Sequence, residues 1–257
     1  MSRRTVIPLL IVVLAAAWTA SSYAEKEIRD GLEVTFNADL RPKNLPRQRL
    51  APVKVEVSGS IATTDGSHPP PLRWLEIKLN RNGRLYSRGL PVCTAPTLQS
   101  TSTETALARC GGARVGSGHF RAEVTLGRPI QVAGRIVAFN SRLAGKPALL
   151  LHLFAGAPVR FTLVVPLTVG HRREGQFGTI LRSRIPRLGG DLGSVTAIDL
   201  KIGRQYRFGG KPRSYVSAAC SAPEGFTEVP FTLARGIFRF EAHEEIAVTL
   251  PRVCRVR

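Results

Sequence analysis

The sequence predicts an all-β fold, a β-sandwich with one short helix near residues 101–110, on three observations. Apolar and polar residues alternate in many short runs, Gly- and Pro-containing turns separate the runs, and only one segment reads as a helix. The strands follow in order. Leu32, Val34, Phe36, Ala38 and Leu40 form the first alternating run, Val53, Val55 and Val57 the second, and Leu75, Ile77 and Leu79 the third. Ile246, Val248 and Leu250 close the series. Period two means that each strand buries one face and leaves the other wet. Two continuous apolar runs, Ala148 to Leu151 and Phe161 to Leu167, predict strands buried on both faces.

Turn chemistry separates these runs. Thr64-Asp65-Gly66 suits a turn, Asn82-Gly83 a tight hairpin, and Gly189-Gly190-Asp191-Leu192-Gly193 a longer loop. The segment from Arg41 to Pro52, with prolines at 42, 46 and 52, reads as a connection between strands. The helix begins at Thr101-Ser102-Thr103-Glu104, which has capping-box spacing, propagates through Ala106 to Arg109, and can end at Gly111 in a left-handed cap. Membrane-barrel strands would alternate too, but four Tyr and two Trp are too few for aromatic girdles.

The amino terminus reads as an export signal. Arg3 and Arg4 open it, Val6 to Ala17 is apolar, and Ser22-Tyr23-Ala24 places small residues at the −3 and −1 positions of a cleavage site, so residues 1–24 are expected to leave and Glu25 to begin the mature domain, 25–257. Sixteen residues from Thr5 to Ala20 fall short of the roughly 20 that a spanning helix needs. No later stretch is long and apolar enough to span a membrane as a helix. Ser2-Arg3-Arg4 also hints at a twin-arginine signal. The expected location is secreted or associated with the cell envelope.

Four cysteines, Cys93, Cys110, Cys220 and Cys254, fit disulfides in an exported chain, and no close C-x-x-C pair suggests zinc or redox chemistry. Four cysteines allow three pairings. An internal recurrence favours one of them. Leu75-Glu76-Ile77-Lys78-Leu79 returns as Ile198-Asp199-Leu200-Lys201-Ile202, Cys93-Thr94-Ala95-Pro96 as Cys220-Ser221-Ala222-Pro223, and Gly59-Ser60-Ile61 as Gly178-Thr179-Ile180. The order is kept while the offset drifts, as expected of two duplicated halves meeting near residue 140. Each half would then close its own bridge, Cys93 with Cys110 and Cys220 with Cys254. One large sandwich and two small ones both remain open, with the buried central runs favouring one.

The formal net charge is +19, and thirty of the thirty-seven basic residues are arginine. Residues 142–214 carry +10 of it. Arg182 and Arg184 share a strand face, and Arg204, Arg207, Lys211 and Arg213 follow among Tyr206, Phe208 and Tyr215; these six are the expected anion contacts. Such a surface attracts polyanions. For an exported chain these are anionic lipid headgroups, wall polymers or acidic polysaccharides, and nucleic acid is disfavoured. The bland reading is a solubilising charge with arginine enriched by coding bias, which leaves the shortage of Asp and Glu unexplained.

Catalytic patterns are sparse, and no catalytic residue, cofactor or metal is assigned. His243-Glu244-Glu245 lacks the second histidine of a zinc-protease helix, and Gly116-Ser117-Gly118-His119 lacks the G-x-S-x-G elbow. Ser117 and His119 therefore read as turn or edge residues. Glu76 and Asp199, at matching places in the halves, are the carboxylate pair that a hydrolase would use, and otherwise outward strand residues beside Lys78 and Lys201.

The blocks Gly59 to Pro71, Ala106-Leu107-Ala108-Arg109-Cys110-Gly111 and Ser214-Tyr215 through Cys220-Ser221-Ala222-Pro223 resemble those of a family of exported, cysteine-containing bacterial β-proteins with no established activity. The resemblance covers most of the mature chain. It implies export and a common architecture, and it transfers no functional residue. The functional expectation is a non-catalytic binding module for anionic envelope or extracellular polymers, with a secreted hydrolase or a structural adhesion module holding a protein partner as alternatives.

Overall fold

The computed structural model describes residues 24–188, 193–241 and 245–257. The expected export signal up to Tyr23, residues 189–192 of the glycine loop, and His243-Glu244 lie outside the described residues. The strands begin with β1 (Glu25–Arg29) and β2 (Leu32–Arg41), joined at Asp30-Gly31. Both turn residues have positive φ, 49° and 75°, which matches the right-handed twist of a two-residue hairpin. Two short bridges, β3 (Asn44–Leu45) and β4 (Ala51–Pro52), lie in the proline-rich connection, followed by β5 (Lys54–Thr63), β6 (Leu72–Asn80) and β7 (Gly83–Leu85). Two helices, α1 (Ala95–Leu98) and α2 (Thr103–Cys110), and a 3-10 turn, Gly111–Ala113, precede a meander of long strands. These are β8 (Arg114–Leu126), β9 (Arg128–Leu143), β10 (Lys146–Ala155), β11 (Phe161–Glu174) and β12 (Phe177–Arg184). The chain ends with β13 (Gly193–Ile202), the small hairpin β14 (Gln205–Phe208) and β15 (Lys211–Ser214), then β16 (Val216–Ala218), β17 (Glu228–Phe240) and β18 (Ile246–Val256).

The fold is all-β and sandwich-like. One sheet of thirteen strands runs in the order β1-β2-β5-β13-β8-β9-β10-β11-β12-β6-β17-β18-β3 and curls on itself. Its ends approach. Arg252 of β18 donates to the Ala38 carbonyl of β2 at 3.2 Å and to the Asn37 side chain, and Arg29 of β1 donates to the Glu245 carbonyl at 3.1 Å. Phe36 of β2 meets Phe238 of β17 edge-on, with centroids 5.8 Å apart, inside the curl.

The strand order carries a reciprocal exchange. β13 fills the place between β5 and β8, while β6 fills the place between β12 and β17. These are the two strands that bear the recurring apolar-acidic-apolar-Lys-apolar pattern, so each half of the chain inserts its copy into the ladder of the other.

The interior face holds what alternation predicts: Leu32, Val34, Phe36 and Ala38 of β2, Phe120, Ala122 and Val124 of β8, and Val248 and Leu250 of β18 are buried. Ala148, Leu149 and Leu150 are buried on both faces as expected, because α1 and α2 pack on the outside of β9 and β10. Leu98, Ala106, Val137, Phe139 and Leu150 form that second layer. In β11, by contrast, Leu163, Val165 and Leu167 are buried while Thr162, Val164 and Pro166 are half-buried, since the helical cover extends only partly over this strand.

The helix forms near the expected residues with two local differences. Ser102 is the N-cap and its hydroxyl accepts from the Thr105 amide, whereas Thr101 turns inward to donate to the Leu98 carbonyl at 2.6 Å. Gly111 is right-handed, φ −56°, because the chain tightens into the 3-10 turn before β8 and needs no left-handed cap. Asn82-Gly83 likewise forms no hairpin. Both edges of β6 are already taken, by β12 and β17, so β7 leaves the sheet and pairs with β16 instead.

The cysteines pair as Cys93–Cys110 and Cys220–Cys254, with Cα atoms 5.6 and 5.7 Å apart. Two disulfides suit an oxidising compartment. The first ties the helical cover to itself, and the second ties the segment after β16 to β18 at the seam.

Beneath that cover His152 is fully buried, its Nε2 3.1 Å from both the carbonyl and hydroxyl oxygens of Thr101. Burial holds its protonation below the usual histidine range. The unfolded chain therefore takes up a proton that the folded chain refuses once the pH falls below about 6.5. Stability should be flat in this respect above that value and decline below it. Thermal melts of the wild type between pH 7.5 and 5 should drop more steeply than those of His152→Leu; parallel curves would contradict the assignment.

Candidate functional site

A strongly basic recess is built where two chain turns meet. The β6–β7 connection brings Arg81, β7 brings Arg84, and the β11–β12 hairpin brings His171, Arg172 and Arg173, around a cleft of about 690 Å3. Four arginines and a histidine line it, with no carboxylate in its wall. Its lip carries Leu50, 41% exposed.

Backbone geometry explains the convergence. The Arg81 amide donates to the Gln176 carbonyl at 2.8 Å, tying one turn to the other. Gly178 makes that approach feasible, because a Cβ there would lie 2.9 Å from the Arg81 Cα. A bulge between His171 and Glu174 breaks the β11–β12 register, and within it Arg172 and Arg173 are both exposed. Glu174, the nearest acid, is occupied: Lys78 donates to it at 2.6 Å and Arg172 stands 3.6 Å away. The Lys78 bond holds the Glu174 carboxyl below its usual range and raises Lys78 in return. Arg81, Arg84 and Arg173 form no ion pair among the described residues.

The six residues expected as anion contacts fall on two elements, Arg182 and Arg184 on β12 and Arg204, Arg207, Lys211 and Arg213 on or beside the β14–β15 hairpin. Arg182 bonds Glu76 at 2.5 Å, and that carboxylate, 5% exposed, also faces Lys78 at 3.5 Å. Arg184 is exposed further along β12, opposite Trp74 in register. Arg204 donates to the Gly112 and Arg114 carbonyls at 2.6 and 2.9 Å and shares a smaller basic recess with Lys54, Arg114 and Lys201. Arg207 and Lys211 sit exposed on the β14–β15 hairpin, and Arg213 covers the Tyr86 ring at 5.4 Å. Periodicity along one strand identified neighbours in sequence. The cleft arginines come from segments about 90 residues apart, and the local signal for them was the basic triplet His171-Arg172-Arg173 together with Arg81-Asn82-Gly83-Arg84.

The catalytic alternatives are placed as follows. Asp199 is exposed on β13 as expected, whereas Glu76 on β6 is buried between Arg182 and Lys78, and five strands of the sheet separate the two. Gly116 and Gly118 are packing glycines: side chains there would collide with the carbonyls of Lys201 and Asp199 on β13. Ser117 between them accepts from Arg114 at 3.0 Å, and His119 pairs in register with Asp199 and Arg135. Glu245 bonds Arg239 at 2.7 Å. Among the described residues no group of three or more His, Cys, Asp or Glu could hold a metal ion, and no helix is long and apolar enough to cross a membrane. Comparison of the chain with family models, curated proteins and solved structures finds no match.

Proposed function

We propose that the protein is an exported, non-catalytic binding module that holds anionic groups of the cell envelope in the arginine cleft. One observation carries the reading: four arginines converge on a cleft without a carboxylate in its wall, and three of them are left without an ion pair among the described residues. Keeping like charges close costs energy unless an anion offsets it, and a phosphate or carboxylate accepts from arginine in pairs. The two disulfides and the apolar, small-residue-terminated start of the chain support export as the setting.

The test is co-sedimentation with phosphatidylglycerol vesicles against phosphatidylcholine vesicles. Binding should be confined to the anionic vesicles. It should fall steeply as added salt shortens the screening length from about 10 Å at 0.1 M to about 3 Å at 1 M. The double substitution Arg84→Gln, Arg173→Gln should weaken it by about 2 kcal/mol, roughly 30-fold, at about 1 kcal/mol per charge. Salt-independent binding, or equal binding to both vesicles, would refute the proposal.

A further inference from the structure

Behind the arginine cleft the curled sheet is not filled. Two adjoining apolar cavities, of about 130 and 140 Å3, run through its interior and share Phe36, Leu75, Ile77, Leu151 and Ile198 in their walls. Sheets pack with few voids larger than a water molecule, and an apolar cavity near 150 Å3 stays dry and takes up an apolar guest. The cavity nearer the cleft has its polar residues at one end. Asn80 ends β6, Asn82 lies in the β6–β7 connection, and Arg84 of β7 pairs in register with Ser217 of β16, while the rest of the wall is aliphatic or aromatic apart from backbone. Asn82, Gly83 and Arg84 line both this cavity and the cleft. The charged site and the apolar interior thus have a common wall.

We infer that the site takes an anionic amphiphile with one hydrocarbon chain, its charged head among Arg81, Arg84, Arg172 and Arg173 and its chain in the interior cavities. Neither part alone selects this class. An arginine cleft suits any anion, and an apolar cavity suits any small hydrocarbon; sharing Arg84 and its neighbours ties the two at one end. The cavities are too small for a two-chain lipid or a fused-ring system, and their shared wall lets one chain occupy both. The inference rests on the proposed anion site and adds the nature of what the anion is attached to.

Titration calorimetry with inorganic phosphate, with octyl, decyl and dodecyl phosphate below their micelle concentrations, and with decanol separates the two. One alkyl phosphate should bind per chain, tighter than inorganic phosphate by roughly tenfold or more, with affinity rising by up to about fourfold per added methylene until the interior is full. Ile77→Phe, which fills the shared wall, should abolish the gain from the chain and leave phosphate binding intact. Arg84→Gln with Arg172→Gln should weaken phosphate and alkyl phosphates alike. If Ile77→Phe fails to give the wild-type melting transition, the chain-length series on the wild type decides by itself. Equal affinity for phosphate and dodecyl phosphate overturns the inference and leaves the anion site standing. Decanol binding as tightly as decyl phosphate, or alkyl phosphates binding undiminished to the arginine variants, overturns it because the head would lie elsewhere. No binding of any probe removes both readings.

Discussion

Expressed separately, residues 24–144 and residues 145–257 should each fail to fold, and should gain cooperative β structure only when mixed. The cut falls at the Ala144-Gly145 turn between β9 and β10, where both residues have positive φ, and it parts the antiparallel β9–β10 ladder between the fragments. The first fragment keeps β1-β2-β5 and β8-β9 but leaves β6 with neither sheet neighbour, because both β12 and β17 belong to the other fragment. The second keeps β10-β11-β12 and β17-β18 but strands β13, whose partners β5 and β8 are gone. Two- and three-strand pieces are marginal without a covered apolar face, so the whole stability of the domain is at stake. Each disulfide stays within its own fragment, Cys93–Cys110 in the first and Cys220–Cys254 in the second, so recovery on mixing would report the non-covalent ladders between the fragments and no disulfide exchange. Circular dichroism melts of each fragment and of the mixture measure this. A cooperative transition in either fragment alone would contradict it.

Removing Cys220–Cys254 by the double substitution Cys220→Ser, Cys254→Ser should lower unfolding stability by about 4 kcal/mol, and the equivalent change at Cys93–Cys110 by about 3 kcal/mol. The difference follows from the separations, 34 and 17 residues, since a longer closed loop restricts the unfolded chain more. Against a typical stability of about 5 to 15 kcal/mol, either loss is large. Position adds to the first. β18 has a long partner on one side only, β17, and on the other meets two-residue β3 and the side-chain bridges of Arg252, so Cys254 anchors the strand that closes the curl. Urea unfolding of the two variants measures both values. A loss under about 1 kcal/mol for Cys220→Ser, Cys254→Ser would show that the seam is held without the bridge.

Much of this architecture was legible in the chain. Alternation from Leu32 to Ala38 reports a strand with one buried face, because side chains on a pleated strand switch sides at every residue. At Leu75, Ile77 and Leu79 it marks a strand, but these side chains are half-buried, and Glu76 between them is the buried residue. The short helix announced itself through Ser102 and the residues that follow. The recurrence of Gly-Ser-Ile, the Lys-bearing strand and Cys-x-Ala-Pro anticipated the cysteine pairing that the structure forms. The failures were also physical. Asn82-Gly83 has the chemistry of a hairpin, but β6 had no free edge to receive the returning strand. Gly111 is the residue type of a left-handed helix cap, but the chain tightens there into a 3-10 turn before β8 and keeps it right-handed.

The basic site shows where local reading stops. Composition and charge, which are sums over the chain, determined a basic domain with cysteines enough for two bridges, and alternation along it determined an all-β one. They could not say which arginines remain available. Arg182 looks as free as Arg173 in the sequence, yet β12 pairs with β6 and delivers Arg182 to Glu76, while the bulge at His171–Glu174 leaves Arg173 at the cleft. That distinction depends on register between strands about 100 residues apart. Periodicity is a property of neighbours along the chain, and only the closing of long-range ladders chose which charges were neutralised, which converged, and which came to stand beside the apolar interior.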